Sequence, residues 1–204
     1  MKEFQLIVLL LLCYSKFYAQ ENHPRYSFLY SLHQSNNTNS QSGKFTPGLG
    51  SSIFANIEFG KNPKLKYSVG FGYLQSHTVF YDYTGMQPYK DEERHYRLDY
   101  FVLPLGINFK LGSFYIHPEI GLSYNFKEST KSFVIDSAME RTGEIYNDKT
   151  NFRAFDSDFA NFLAIGYEYK IGNVQVLTAV KGYLAFNSHF LNTYGVGLEA
   201  GVKF

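Results

Sequence analysis

The sequence predicts an all-β chain: an eight-stranded antiparallel transmembrane β-barrel with short periplasmic turns and longer external loops. Three observations carry this. Apolar and polar or small residues alternate with period two through most of the chain. The connections between the alternating runs are short and long by turns. The face opposite the bulky residues is rich in glycine and poor in the Lys, Glu and Thr that a water-facing strand carries.

The clearest stretch runs from Leu98 to Phe126, LDYFVLPLGINFKLGSFYIHPEIGLSYNF. Phe101, Leu103, Leu105, Ile107, Phe109 and Leu111 share one face, against Val102, Pro104, Gly106, Asn108 and Lys110 on the other. Gly112-Ser113 is a two-residue turn signal. Beyond it Phe114, Ile116, Pro118, Ile120, Leu122, Tyr124 and Phe126 alternate with Tyr115, His117, Glu119, Gly121, Ser123 and Asn125. Such a turn pairs Leu111 with Phe114, Gly106 with Glu119 and Pro104 with Gly121, so the two apolar faces coincide in one hairpin.

The other elements fall in order around that hairpin. Residues 1–19 read as a signal peptide, with Lys2, the short apolar core LIVLLLL at Leu6 to Leu12, and a cut after Ala19. Cys13 offers lipoprotein acylation as an alternative, with Leu12 in the place where Gly or Ala is usual. Residues 20–204 then form the barrel domain. Arg25 to Gln34 is a strand with Tyr26, Phe28, Tyr30 and Leu32 on one face, followed by an Asn/Ser-rich loop to Phe45. Gly48 to Gly60 and Leu65 to Phe80 flank the tight turn Asn62-Pro63-Lys64. A charged loop is expected from Asp82 to His95, and an aperiodic loop from Lys127 to Ser157. Asp158 to Ile171 and Val174 to Phe186 flank Gly172-Asn173. The short loop Asn187 to Asn192 leads to a last strand with Tyr194, Val196, Leu198, Ala200, Val202 and Phe204 on one face. In an even-stranded barrel this rhythm sets the tight turns and both termini at one end.

A soluble lipocalin-type barrel alternates in the same way with its apolar face inward. Composition separates the two. Most of the 17 glycines lie on the face opposite the bulky residues, where a narrow lumen leaves little room, while 20 Phe and 18 Tyr suit a lipid-facing band with aromatic girdles. Two features strain the pattern. Pro104 and Pro118 stand inside strands, where a bulge or a break in regular pairing is expected, and the apolar phase shifts from Tyr96, Leu98 and Tyr100 to Phe101 and Leu103, where a bulge is expected.

The run LDYFVLPLGINFKLG followed by FYIHPEIGLSYNF resembles the outer-membrane β-barrel domain of Bacteroidota, the PorT-like group. In that group an aliphatic-Pro-aliphatic strand precedes a tight turn and a Gly-rich partner. The resemblance spans roughly residues 20–204 and includes Ala19-Gln20 and the terminal Phe204. It implies location in the cell outer membrane, Phe204 as the signal read by the barrel-assembly machinery, and outer-membrane lipids as surroundings. In some members it implies a role in protein secretion and gliding, which makes secretion-complex proteins expected partners.

The chain offers little for chemistry. Net charge is +1 over 204 residues, so no nucleic-acid partner is expected. Cys13 is the one cysteine and lies in the leader, so the barrel has no disulfide and no Cys metal site. No catalytic, cofactor-binding or metal residues are assigned, and no cofactor is expected. His117 and Glu119 share a lumen face and read as a hydrogen-bonded pair. Ser188-His189 lacks a carboxylate at fixed spacing and reads as loop, Asp91 to Arg94 as a solvated charge run, and Asp136-Ser137-Ala138 as a weak glycosylation match. The expected lumen charges are Glu58, Glu119, Glu168 and Glu199 beside Lys110, Lys170, Lys181 and Lys203. Centring the last hairpin near residue 190 sets Lys181 opposite Glu199, a lumen charge pair. The function expected is a non-enzymatic barrel with a structural, partner-binding or secretion-accessory role. An outer-membrane lipid hydrolase is the alternative.

Overall fold

The computed structural model describes residues 24–37, 44–82, 91–135, 141–149, 157–186 and 193–204. The expected signal peptide, the loop 187–192 with Ser188 and His189, and Asp136-Ser137-Ala138 lie outside them. The strands are β1 (Arg25–Asn37), β2 (Lys44–Phe59), β3 (Leu65–Asp82), β4 (Asp91–Leu111), β5 (Phe114–Ile135), β6 (Arg141–Lys149), β7 (Ser157–Ile171), β8 (Val174–Phe186) and β9 (Thr193–Lys203). Every neighbouring pair is antiparallel. The ladder runs β4-β3-β2-β1-β9-β8-β7-β5, and a β4–β5 pairing closes it. This is the eight-stranded barrel, sealed between first and last strands by Tyr26 and Phe204, whose backbones exchange N–H···O bonds of 3.3 and 2.9 Å.

The ninth strand adds no stave to the wall. β5 gives Phe114–Tyr124 to β7 and Glu128–Ile135 to β6, so β6 and β7 follow one another along one edge of β5. The stretches read as loops at 91–95 and 127–135 are therefore strand: β4 and β5 stay paired from Asp99↔Lys127 up to Asp91↔Ile135, and β3 pairs with β4 up to Asp82↔Glu92. Their side chains change character above the membrane, so the period-two apolar signal stops while the backbone ladder continues.

The central hairpin has the expected register, Leu111↔Phe114, Gly106↔Glu119 and Pro104↔Gly121. Gly112 and Gly172 take φ of 69° and 61° at the two-residue turns, a conformation open to glycine at little cost. In the third tight turn Lys64 N–H donates to Asn62 Oδ1 at 2.9 Å.

Of the two expectations for the prolines, a break in regular pairing holds, and neither Pro104 nor Pro118 sits at a bulge. Each lies where one of its two ladders skips two pairs with the register unchanged: β3–β4 between Val69↔Leu105 and Gly72↔Val102, and β4–β5 between Gly106↔Glu119 and Phe109↔Ile116. Each missing N–H thus coincides with the interruption of one of the two ladders. The bulge near Tyr100 exists, but the extra residue is Phe126 on the partner strand: Tyr100 faces Asn125 and Asp99 faces Lys127. β4 itself keeps phase, and Leu98, Tyr100 and Val102 all point inward and are buried.

A second irregularity, between Pro47 and Ser51, opens the β2–β3 ladder. Side chains from β1 fill it. Ser35 Oγ donates to His77 O at 2.7 Å and accepts from His77 N–H at 2.8 Å, while His33 Nε2 donates to Gln75 O at 3.0 Å. These side chains reach across β2 because Gly48 and Gly50 stand between; a Cβ on Gly50 would meet His33 Nε2 and the Gln75 carbonyl oxygen.

Outward positions of the lower two thirds form an apolar belt that includes Leu49, Phe71, Leu105, Ile120, Ile165 and Leu198, each more than half exposed. Aromatics rim both borders. Phe101 and Phe126 stack at 4.3 Å beside Tyr73 above, and Phe114, Tyr167 and Tyr169 meet below. From Phe101 to Leu111, about 3.3 Å per residue at a tilt of about 40° gives a belt about 25 Å tall, the height of a bilayer's apolar band.

Candidate functional site

Inward positions build a charged lumen in two tiers. In the lower tier Lys203, at the end of β9, reaches Glu58 Oε2 at 2.6 Å and Glu168 Oε1 at 2.9 Å. Lys110 bonds the other oxygen of Glu168 at 2.7 Å, and Asn108 Nδ2 donates to Glu58 at 3.0 Å. In the upper tier Lys181 Nζ sits between Glu199 Oε2 at 2.8 Å and Glu119 Oε2 at 3.3 Å. Glu119 also meets His117 Nε2 at 3.6 Å and Asn56 Nδ2 at 3.4 Å, and Ser68 Oγ lies 2.8 Å from His117 Nε2. Side chains 1–4 % exposed hold these upper charges, so each depends on a partner for the hydration it has lost.

Lys181 and Glu199 meet, but not by the expected register. Lys181 stands opposite Gly197 and Glu199 opposite Ala179, a diagonal rather than a facing pair. The last hairpin is centred one residue earlier than its loop suggested, and the length of Lys and Glu side chains spans the diagonal. Lys170 is the second correction. It is exposed at the periplasmic rim beside the Gly172 turn, outside the lumen. Of the expected lumen charges, Glu58, Glu119, Glu168 and Glu199 face Lys110, Lys181 and Lys203 inside, with His117 beside Glu119.

The inner face is also less uniformly small than its glycines suggested. Phe54 and Phe162 meet edge-to-face at 5.3 Å directly over Lys181, whose Nζ lies 4.2 and 5.2 Å from their centroids. Tyr183 continues this layer to His33, with ring centroids 4.8 Å apart. Leu74, Leu98, Tyr100 and Val102 complete the apolar interior above. The sequence carried a signal for this roof: Phe54, Phe162 and Tyr183 sit at inward parity, with Gly72 against Phe54 and Gly195 against Tyr183 vacating the space they fill.

Chemically, three ammonium groups and His117 pair with four carboxylates beneath an aromatic layer, in the narrow interior that eight strands enclose. Among the described residues no cluster of three or more His, Cys, Asp or Glu is placed to hold a metal. Phe204 lies at the periplasmic end with its ring exposed on the outer face. No helix among the described residues is long and apolar enough to cross a membrane; strands make the crossing here.

No family model and no curated protein matches the chain. Solved structures do. The attachment invasion locus protein Ail of Yersinia pestis, solved in complex with the heparin analogue sucrose octasulfate, is similar over 90 % of this chain and 100 % of its own, with a TM-score of 0.50 and 11 % identity. Neisserial surface protein A covers 87 % of this chain and 95 % of its own, with a TM-score of 0.41 and 11 % identity. The N-terminal barrel of Pseudomonas aeruginosa OprF covers 87 % and 97 %, with a TM-score of 0.36 and 8 % identity. The likeness is one of fold. With its closed ladder, apolar belt and aromatic borders, the chain is an eight-stranded barrel of the outer membrane.

Proposed function

We propose that this barrel is a plugged, non-catalytic membrane anchor for a partner-binding surface on its external side, with a secretion-accessory role as the specific reading. The crowded lumen is the observation that carries it. Salt bridges and the Phe54–Phe162 pair occupy the inner face, while β2 to β6 raise a five-stranded sheet above the belt. Outer-membrane lipids surround the belt, the barrel-assembly machinery inserts the chain through its C-terminal Phe204, and secretion-complex proteins are the partners that the PorT-like Bacteroidota resemblance favours. Residues 1–19 serve as the export signal in this reading.

Conductance is the test. Purified barrel reconstituted in planar bilayers gives no stable, large single-channel steps; such steps would overturn the plug. Deacylation of lipid A or phospholipid by the same refolded protein would replace the anchor with the lipid-hydrolase alternative.

A further inference from the structure

Above the belt, on the outward face, two histidines of adjacent strands point their ring nitrogens at each other. His77 Nε2 of β3 lies 3.2 Å from His95 Nδ1 of β4, with ring centroids 5.3 Å apart and planes inclined at 26°. The other nitrogen of His95 is engaged: Nε2 donates to Glu93 Oε1 at 2.6 Å. Phe133 closes one flank of His95, edge-on at 5.4 Å. Both rings stay partly exposed toward the external solvent.

The hydrogen bonds define the chemistry. Because His95 keeps its proton on Nε2 for Glu93, its Nδ1 carries a lone pair. His77 Nε2–H fills the gap between the two nitrogens with one shared proton. The same two atoms match two positions of a tetrahedral cation site. Two Zn–N bonds of about 2.0–2.1 Å at a tetrahedral angle set their nitrogens about 3.3 Å apart. A carboxylate on the far nitrogen is the usual second partner of a metal-bound histidine, fixing its tautomer and ring orientation. Two imidazoles with no hard oxygen ligand select a borderline transition-metal ion, Zn²⁺, Cu²⁺ or Ni²⁺, over Mg²⁺ or Ca²⁺.

The geometry points to a transition-metal site at His77 and His95, with Glu93 as the positioning residue and water in the open positions. On binding, His77 releases its Nε2 proton and holds one on Nδ1, while His95 keeps its bond to Glu93. Register makes the site a staple. His77 pairs with Arg97 and His95 with Val79, so the two rings bridge β3 and β4 diagonally where the sheet has left the lipid and lost the bilayer's lateral support. No local motif announces it, because the histidines stand 18 residues apart in separate strands.

Titration of the folded, tag-free barrel in detergent with Zn²⁺ tests this. Saturable binding of one ion per chain is expected, weakened at least ten-fold in His77→Ala and in His95→Ala, with Ca²⁺ failing to compete. Glu93→Gln, which leaves both ligands in place, is expected to weaken binding about 10–100-fold. Retention of the heat-dependent shift in SDS gels checks that each variant is folded. For a readout that needs no variant, Cu²⁺ bound to the native barrel shows electron-spin hyperfine coupling to two imidazole nitrogens. No saturable binding, an affinity unchanged in His77→Ala, or coupling to fewer than two nitrogens would overturn the site.

Discussion

The lower and upper halves of β4 and β5 use the same pleat for opposite purposes. In the membrane belt, Phe101, Leu103, Leu105 and Phe109 project outward and are 41–58 % exposed, while the inward positions carry Gly106, Asn108 and Lys110. Above Phe101 the apolar residues turn inward: Leu98 is 5 % and Tyr100 1 % exposed, packed with Leu74, and the outward positions hold Arg97, Asp99, His95 and, on β3, Gln75 and His77. No bulge in β4 is needed, since the strand keeps phase across the boundary. What changes is the solvent. Lipid outside and ions inside invert the usual rule below; water outside restores it above. Arg97 and Asp99 mark the transition, with Asp99 Oδ1 bonded to Arg97 Nε at 3.2 Å and to Tyr73 OH at 2.6 Å just over the aromatic border.

Paired substitutions break the comparison if it is wrong. The largest effect is expected inside the upper half. Leu98→Ala leaves a void that nothing refills and costs about 2–5 kcal/mol in urea unfolding of the micelle-bound barrel. Leu103→Ala, on the lipid face, costs clearly less because acyl chains close over it. Equal losses would remove the distinction between the two faces.

Charge reverses the ranking. Leu105→Arg, outward at mid-belt, is expected to cost about 2–4 kcal/mol in lipid vesicles. Val79→Arg, outward in the upper sheet, stays within about 0.5 kcal/mol. A comparable penalty at Val79 would extend the belt upward.

Within the lumen, Lys181 and Glu199 are expected to couple by about 0.5–3 kcal/mol in a double-mutant cycle. Glu119 is the second acceptor for Lys181, so Glu199→Ala leaves the cation one carboxylate and the coupling falls below that of an isolated buried pair. Additive losses would mean that water, not Lys181, satisfies Glu199.

The smallest stability effect is expected at the other end of the belt. Phe204→Ser changes unfolding free energy by about 0.5 kcal/mol or less, yet lowers the amount of barrel in the outer-membrane fraction while export continues. Undiminished insertion would deny Phe204 its role as assembly signal.

The belt was legible because its two-residue period is written in large apolar side chains. The hairpin from Phe101 to Phe126 and its register follow from the pattern and one Gly-Ser turn. The upper sheet was not legible. Outward Arg97, His95 and Ser129 against inward Leu98, Tyr96 and Thr130 give a weak, inverted alternation, and β6 is set by pairing to an already extended β5. In the lumen, parity placed Lys181 and Glu199 on the inner face, but the residue-by-residue register depended on the conformation of 187–192, which no two-residue turn fixes. Lys170 has inward parity as well; its distance from the end of the wall, one residue before Ile171, decides its exposure.

Solvent inversion along β4 can be measured directly. Cys13 is the one native cysteine and lies in the expected leader, so single cysteines at positions 93 to 109 of the leader-free barrel can each carry a nitroxide label. Collision rates with oxygen, which concentrates in lipid, and with a water-soluble nickel chelate then report each position's surroundings in vesicles. Labels at 101, 103, 105 and 109 are expected to meet oxygen, those at 95 and 97 to meet nickel, and those at 98, 100 and 102 to meet little of either. Nickel access at 103 and 105, or a change of protected parity between 98 and 102, would contradict the inversion.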